Sequence, residues 1–173
     1  YMGSFSKVLA PGLRLGFVIA PEELHGKLVQ AKQAADLHTP SFSQRIVYEA
    51  VQDGFLDAHI PTIRTLYARQ CELMLDALDR YFPAEATWNK PEGGMFIWVN
   101  LPKGVDSAKL LAKAIEQNVA FVPGAPFYAV DPVPNTLRLS FVTVPQDKIE
   151  IGMQKLGALL KAEIAGLSAT AAA

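Results

Sequence analysis

The sequence predicts an α/β protein built in two parts, and three observations carry that prediction. Short apolar runs at 13–19, 96–99, 119–122 and 137–141 have the length of strands. Longer stretches between and after them hold apolar residues at helical spacing. After Pro83 the order becomes strand, helix, strand, strand, helix, which is the pattern of a small α/β lobe.

Taken in order, the run from Leu13 to Ile19 contains Gly16, stops before Pro21, and reads as a buried strand beside a turn. Pro21-Glu22-Glu23 starts a helix, because proline suits the first turn and acids suit its positive end. That helix runs through about Asp36. His38-Thr39-Pro40-Ser41 breaks it, with Ser41 as candidate cap of the next helix, which reaches Asp53-Gly54. A long helix follows Pro61 and ends near Phe82-Pro83, with Leu66, Leu73, Leu75 and Leu78 near helical spacing. Gly93-Gly94 leads into a strand at Phe96-Ile97-Trp98-Val99. Asp106 or Ser107 caps a helix that ends by Asn118. Val119–Val122 and Leu137–Phe141 are short strands, and a last helix runs from Gln146 to about Ile164. The boundary between the two parts is expected within the long helix near residue 70, giving 1–70 and 71–167. The low-complexity stretch 168–173 is expected to be a disordered tail.

Composition narrows the function classes. The chain has 173 residues, 50% of them hydrophobic, enough for one sizeable core or two small ones. A net charge of −1 gives no broad field to draw nucleic acid or an anionic membrane. Cys71, the one cysteine, excludes an internal disulfide and fits a reducing, cytoplasmic setting. It lies in a helical pattern, as a buried structural thiol does. No apolar run approaches the roughly 20 residues that span a bilayer. The three histidines and one cysteine have no metal-ligand spacing, so no metal is expected.

The residues that carry chemistry open the chain. Lys7 follows Ser4 and Ser6, and Arg14 comes seven residues later, after the Pro11-Gly12 turn and before Gly16. That set suits a phosphate-bearing aldehyde. A lysine amine with lowered pKa can form a Schiff base, while serine hydroxyls and an arginine fork hold a phosphate. Read alone, the same residues are also a solvated lysine, two turn serines and an arginine in an ion pair. Farther on, Leu137-Arg138-Leu139 lies in a strand, where alternation turns Arg138 away from its apolar neighbours. A guanidinium in so apolar a stretch needs a partner: a bound carboxylate or an internal acid.

The segment Gly3-Ser4-Phe5-Ser6-Lys7 through Gly16 resembles the pyridoxal-phosphate lysine region of fold-type I, class I/II aminotransferases. Three further motifs follow in the family's order: Pro91-Glu92-Gly93-Gly94-Met95-Phe96-Ile97-Trp98, then Phe121-Val122-Pro123-Gly124-Ala125-Pro126-Phe127-Tyr128, then Asn135-Thr136-Leu137-Arg138-Leu139-Ser140-Phe141. The resemblance is to the branch of 2-aminoadipate/kynurenine aminotransferases and of the aminotransferase-like domains of MocR regulators. It implies the C-terminal part of the aspartate aminotransferase-like fold, comprising the end of the large cofactor domain and the small α/β domain. Members of the family carry their remaining cofactor-binding half upstream of this lysine, so the fragment alone is expected to bind the cofactor weakly and to lack activity.

For individual residues, the resemblance implies that Lys7 is the covalent anchor and proton carrier for pyridoxal 5'-phosphate. Ser4, Ser6 and Arg14 hold or neighbour its phosphate. Arg138 clamps the substrate α-carboxylate, and Phe96 or Met95 lines the substrate pocket, where ordinary strand core is the alternative. His38 falls in an interhelix loop near the family's subunit contact. The implied partners are amino acid and 2-oxo acid substrates and a second copy in a homodimer. Nucleic acid enters only through an upstream DNA-binding segment, in a MocR-type regulator. A lyase or decarboxylase on the same fold is a further alternative.

Overall fold

Two units divide inside one long helix, at Arg64 and Thr65. The computed structural model describes the backbone of residues 1–171 and the side chains of residues 1–167. The tail expected over 168–173 therefore falls outside the described side chains, and at 172 and 173 outside the described residues altogether.

The first unit opens with two antiparallel strands, β1 (Met2–Ser4) and β2 (Gly16–Val18), paired Met2↔Val18, Gly3↔Phe17 and Ser4↔Gly16. Two glycines let this ribbon close: a Cβ on Gly16 would lie 2.9 Å from the Gly3 carbonyl oxygen. The buried strand expected over 13–19 is shorter and exposed. Leu15 is buried, but Phe17, Val18 and Ile19 are open to solvent. Among the described residues the only rings Phe17 meets are those of Tyr1 and Phe5, with centroids 6.0 and 5.7 Å away, and no second layer covers the two-stranded ribbon.

Helix α1 (Glu22–Asp36) starts after Pro21 with Glu22 and Glu23 in its first turn, and it buries no residue. Leu37 ends it with a positive φ of 63°. Helix α2 (Ser41–Val51) differs from expectation at its start. Pro40 is the N-cap, Ser41 is already helical, and no side chain caps the turn. Instead the Gln44 Nε2 donates to the Thr39 carbonyl at 2.9 Å and ties the loop to the helix. Helix α3 (Phe55–Tyr81) begins six residues before Pro61, which lies inside it. The start is set by Gly54, whose φ of 76° turns the chain. The Asp57 amide then donates back to its carbonyl at 3.1 Å. Pro61 withholds one helical hydrogen bond without ending the helix.

The second unit is a four-stranded antiparallel sheet with helices packed against it. The strands are β3 (Thr87–Trp88), β4 (Phe96–Asn100), β5 (Val122–Pro123) and β6 (Thr136–Ser140), in the order β3-β4-β6-β5. Helix α4 (Ser107–Glu116) and helix α5 (Gln146–Ala171) complete it. The short β3 is not anticipated by the hydropathy pattern. The strand expected at 119–122 pairs at Val122–Pro123 only, and a proline is tolerated there because β5 is an edge.

The core lies on one face of the sheet. Ile97 and Val99 of β4 and Leu137 and Leu139 of β6 are buried, as are Leu110 of α4 and Leu156 and Leu160 of α5. From α3 the buried face is Cys71, Met74, Ala77 and Leu78, whereas Leu66 is exposed. Burial pushes the Cys71 thiol above its ordinary value, aided by the nearby Glu72 charge. Gly157 of α5 meets the end of α3 so closely that a Cβ would lie 2.5 Å from the Tyr81 carbonyl oxygen. Beside that contact, the Tyr81 hydroxyl and Arg80 Nη1 both donate to Glu150 Oε1 at 2.7 Å.

Two predictions test this packing. Leu110→Ala should cost about 2–5 kcal/mol in chemical denaturation, whereas Ile115→Ala on the exposed side of the same helix should cost under about 1 kcal/mol. The hydrogen bonds from Tyr81, then Arg80, hold the Glu150 carboxyl below its usual 4.5. Its stabilising contribution is therefore complete above that value and is lost as pH falls through the lowered one. Melting temperature against pH should show a steeper acid limb in the parent than in Glu150→Gln.

Candidate functional site

The sequence-singled residues fall into two clusters, one in each unit. In the first unit, the Phe5 amide donates to the Leu15 carbonyl at 3.1 Å. The Leu9 and Ala10 amides donate to the Phe5 carbonyl at 2.9 and 3.2 Å. These bonds close a turn over residues 5–10 that presents Lys7 to solvent. Lys7 makes no hydrogen bond or ion pair among the described residues. A 3-10 turn over Pro11–Leu13 then brings Arg14 back, in a left-handed conformation with φ 52° and ψ 40°. That region is sparsely used by residues other than glycine and costs roughly 1–3 kcal/mol.

The return links three of the four candidates. Arg14 Nη1 donates to Ser6 Oγ at 3.4 Å and to the Pro11 carbonyl at 3.3 Å. The Ser6 amide donates to Ser4 Oγ at 3.1 Å. Ser4, Ser6 and Arg14 thus form one chain of hydrogen bonds ending next to Lys7. Neither the two hydroxyls nor the guanidinium is bonded to a carboxylate among the described residues, and Lys7 follows Ser6 directly in the chain. Such a donor set fits a phosphate.

In the second unit, the cross-strand register does the placing. Trp98 stands opposite Arg138, and Phe96 stands opposite Ser140. The core takes Leu137 and Leu139, so Arg138 projects from the other face. Its Cζ lies 3.9 Å from the centre of the Phe96 ring and 4.8 Å from that of Phe127. Trp98 meets Phe127 edge-on at 5.6 Å and Tyr128 at 6.3 Å. Arg138 forms no ion pair among the described residues, and its Nε is buried without a hydrogen-bond partner. Rings thus stack on the guanidinium, and no acid neutralises it. Phe96, Arg138 and Ser140 share the wall of an open cavity of about 590 Å³ with Val122, Thr143 and Lys148.

Sequence reasoning names Phe96 beside Arg138 but misses Trp98, Phe127 and Ser140. Trp98 shares the parity of Phe96 on its strand, which is a legible signal. Phe127 arrives through the loop fold. The Gly124 amide donates to the Thr136 carbonyl at 2.7 Å, and a Cβ on Gly124 would lie 2.1 Å from Thr136 Oγ1. Only glycine lets the loop lie so close to β6 and lower Phe127 onto Arg138.

Comparison with known proteins identifies the family. Aminotransferase class I and II is the family that matches, over residues 1–156, and the chain belongs to it. The 2-aminoadipate transaminase of Thermus thermophilus is 48% identical over 165 residues, covering 95% of this chain and 41% of that protein. The crystal structure of LysN, an alpha-aminoadipate aminotransferase of the same organism complexed with N-(5'-phosphopyridoxyl)-L-leucine, superposes with a TM-score of 0.88. It is 48% identical, and the match covers 95% of this chain and 42% of that one. YdfD of Bacillus subtilis, an uncharacterised HTH-type transcriptional regulator, is 32% identical over 161 residues, covering 93% of this chain and 33% of that protein. The chain therefore spans about two fifths of the length of the enzymes it matches.

Gly124→Ala tests the loop contact. It should lower the stability of the second unit by about 1–3 kcal/mol and alter Trp98 fluorescence as Phe127 is displaced. Unchanged emission at unchanged stability would mean that the loop does not need glycine.

Proposed function

We propose that the whole protein is a pyridoxal 5'-phosphate-dependent aminotransferase that moves an amino group between an amino acid and a 2-oxo acid. The observation that carries this reading is the Ser4–Ser6–Arg14 chain beside the unpaired Lys7. Support comes from the family match and from the phosphopyridoxyl-leucine bound by the similar Thermus enzyme. On this reading, residues 1–70 end the large cofactor-binding domain and residues 71–167 form the small domain.

Each residue has a distinct task. Arg14 grips the phosphate through its fork, with Ser4 and Ser6 donating beside it. Lys7 would anchor the cofactor covalently, and its amine Nζ would carry the substrate α-proton. When bound, the cofactor supplies an electron sink for the carbon that loses that proton. Arg138 receives the α-carboxylate through two parallel hydrogen bonds, replacing the ring contacts with a full counter-charge. Phe96 walls the site, with its ring centre 3.9 Å from the guanidinium carbon.

The proposal extends to a cytoplasmic homodimer. The buried free thiol of Cys71 and the exposed apolar residues of α1 and α2, such as Leu24, Leu28, Phe42 and Ile46, support it. No helix among the described residues is long and apolar enough to cross a membrane. The similarity to YdfD favours one second reading, an effector domain of a transcriptional regulator.

Two substitutions in the whole protein separate the roles. Arg14→Ala should weaken pyridoxal phosphate binding about 10–100-fold, the loss expected for hydrogen bonds to a charged group. Arg138→Ala should leave cofactor affinity within about twofold while raising the KM for amino acid by a similar 10–100-fold. If both substitutions change only the cofactor, or neither changes either ligand, the assignment fails. Intact cofactor binding without transfer to any 2-oxo acid would favour the regulator.

A further inference from the structure

We propose that Ser140 is a second donor in the carboxylate subsite, sharing one carboxylate with Arg138; this rests on the reading of Arg138 given above. Of four buried side-chain polar atoms without partners among the described residues, those of Gln70 and Ser107 lie on helices, whereas Arg138 Nε and Ser140 Oγ share one face of β6. A buried donor without an acceptor is costly, and native folds keep few of them. Finding two, two residues apart on β6, indicates that one group is meant to satisfy both.

The placement supports a common partner. Residues two apart on a strand project from the same face about 6.8 Å apart. The Arg138 guanidinium leans over Phe96, which is the cross-strand neighbour of Ser140, so its head is directed along β6 toward that serine. No hydrogen bond joins the two side chains. A carboxylate has acceptor sites enough to take the two bonds of the Arg138 fork and one from the Ser140 hydroxyl at once. Both residues line the same cavity, with Lys148 at its wall and no aspartate or glutamate among its lining residues. Phe127, the second ring over the guanidinium, is half exposed, sits on a short loop turn and is not among the residues lining the cavity.

Ser140 is thus assigned to substrate orientation. With two donors on one carboxylate, its plane is fixed, and with it the direction of the bond that must break. The assignment concerns substrate binding and leaves the cofactor grip untouched.

The test is calorimetric binding of an unreactive carboxylate, 3-phenylpropionate, to the whole cofactor-loaded protein. Ser140→Ala should weaken binding about tenfold, the size expected for one hydrogen bond to a charged group. Ser140→Thr, which keeps the hydroxyl, should stay within about threefold of the parent. In an Arg138→Ala background, Ser140→Ala should add nothing, since the shared carboxylate is no longer held. Cofactor affinity should not change in any Ser140 variant. If Ser140→Ala lowers the melting temperature, Ser140→Cys keeps the volume with only a weak donor and is read in the same way. Binding within twofold of the parent in Ser140→Ala would overturn the assignment while leaving Arg138 in place. An equal loss with and without Arg138 would also overturn it. An Arg138→Ala protein that binds the carboxylate as tightly as the parent would instead refute the reading of Arg138 itself.

Discussion

The second unit depends on one constraint, the register of β4 against β6. With Val99 opposite Leu137 and Ile97 opposite Leu139, four aliphatic side chains enter the core together. The same pairing puts Trp98 opposite Arg138 and Phe96 opposite Ser140 on the other face. A one-residue slip of β6 would drive Arg138 into the core and expose two leucines, at a cost no local contact could offset. The core thus fixes where the guanidinium stands, and site and stability share a single hydrogen-bond ladder.

In each unit, one arginine keeps its charge without an acidic partner among the described residues. Arg138 is stacked on rings, and Arg14 is tied to a serine hydroxyl and a carbonyl. By contrast, Arg80 and Arg45 each meet a glutamate on the surface. Rings, hydroxyls and carbonyls orient a guanidinium while leaving its charge uncompensated, which is the condition for binding an anionic ligand tightly. The left-handed backbone of Arg14 adds to this picture, since strain at a non-glycine residue tends to persist where a site requires it.

Much of the architecture is legible in the sequence because it is periodic. The alternation Leu137-Arg138-Leu139 states which way the arginine faces, and Asp106 caps α4 as its position suggests, accepting from the Ala108 and Lys109 amides. What periodicity omits is the cover over an apolar run. Residues 13–19 look like a buried strand, yet Phe17, Val18 and Ile19 are exposed among the described residues. Local punctuation also misleads when two signals compete. Pro61 suggests a helix start, but the left-handed turn at Gly54 begins α3 earlier. Ser41 suggests a cap, but Pro40 occupies that position. Phe127 reaches Arg138 through a loop whose path depends on Gly124 touching Thr136, a long-range contact that no window of sequence contains. The pairing of Ser4, Ser6 and Arg14 is suggested by spacing, while its hydrogen-bond order emerges only from the folded turn.

Reduction of the whole protein with borohydride after incubation with pyridoxal phosphate, followed by mass mapping of the labelled peptide, tests the central claim most directly. The account predicts one labelled peptide carrying the cofactor on Lys7, lost in Lys7→Ala while the fold is retained. Absent or scattered labelling of a folded, full-length protein would contradict it.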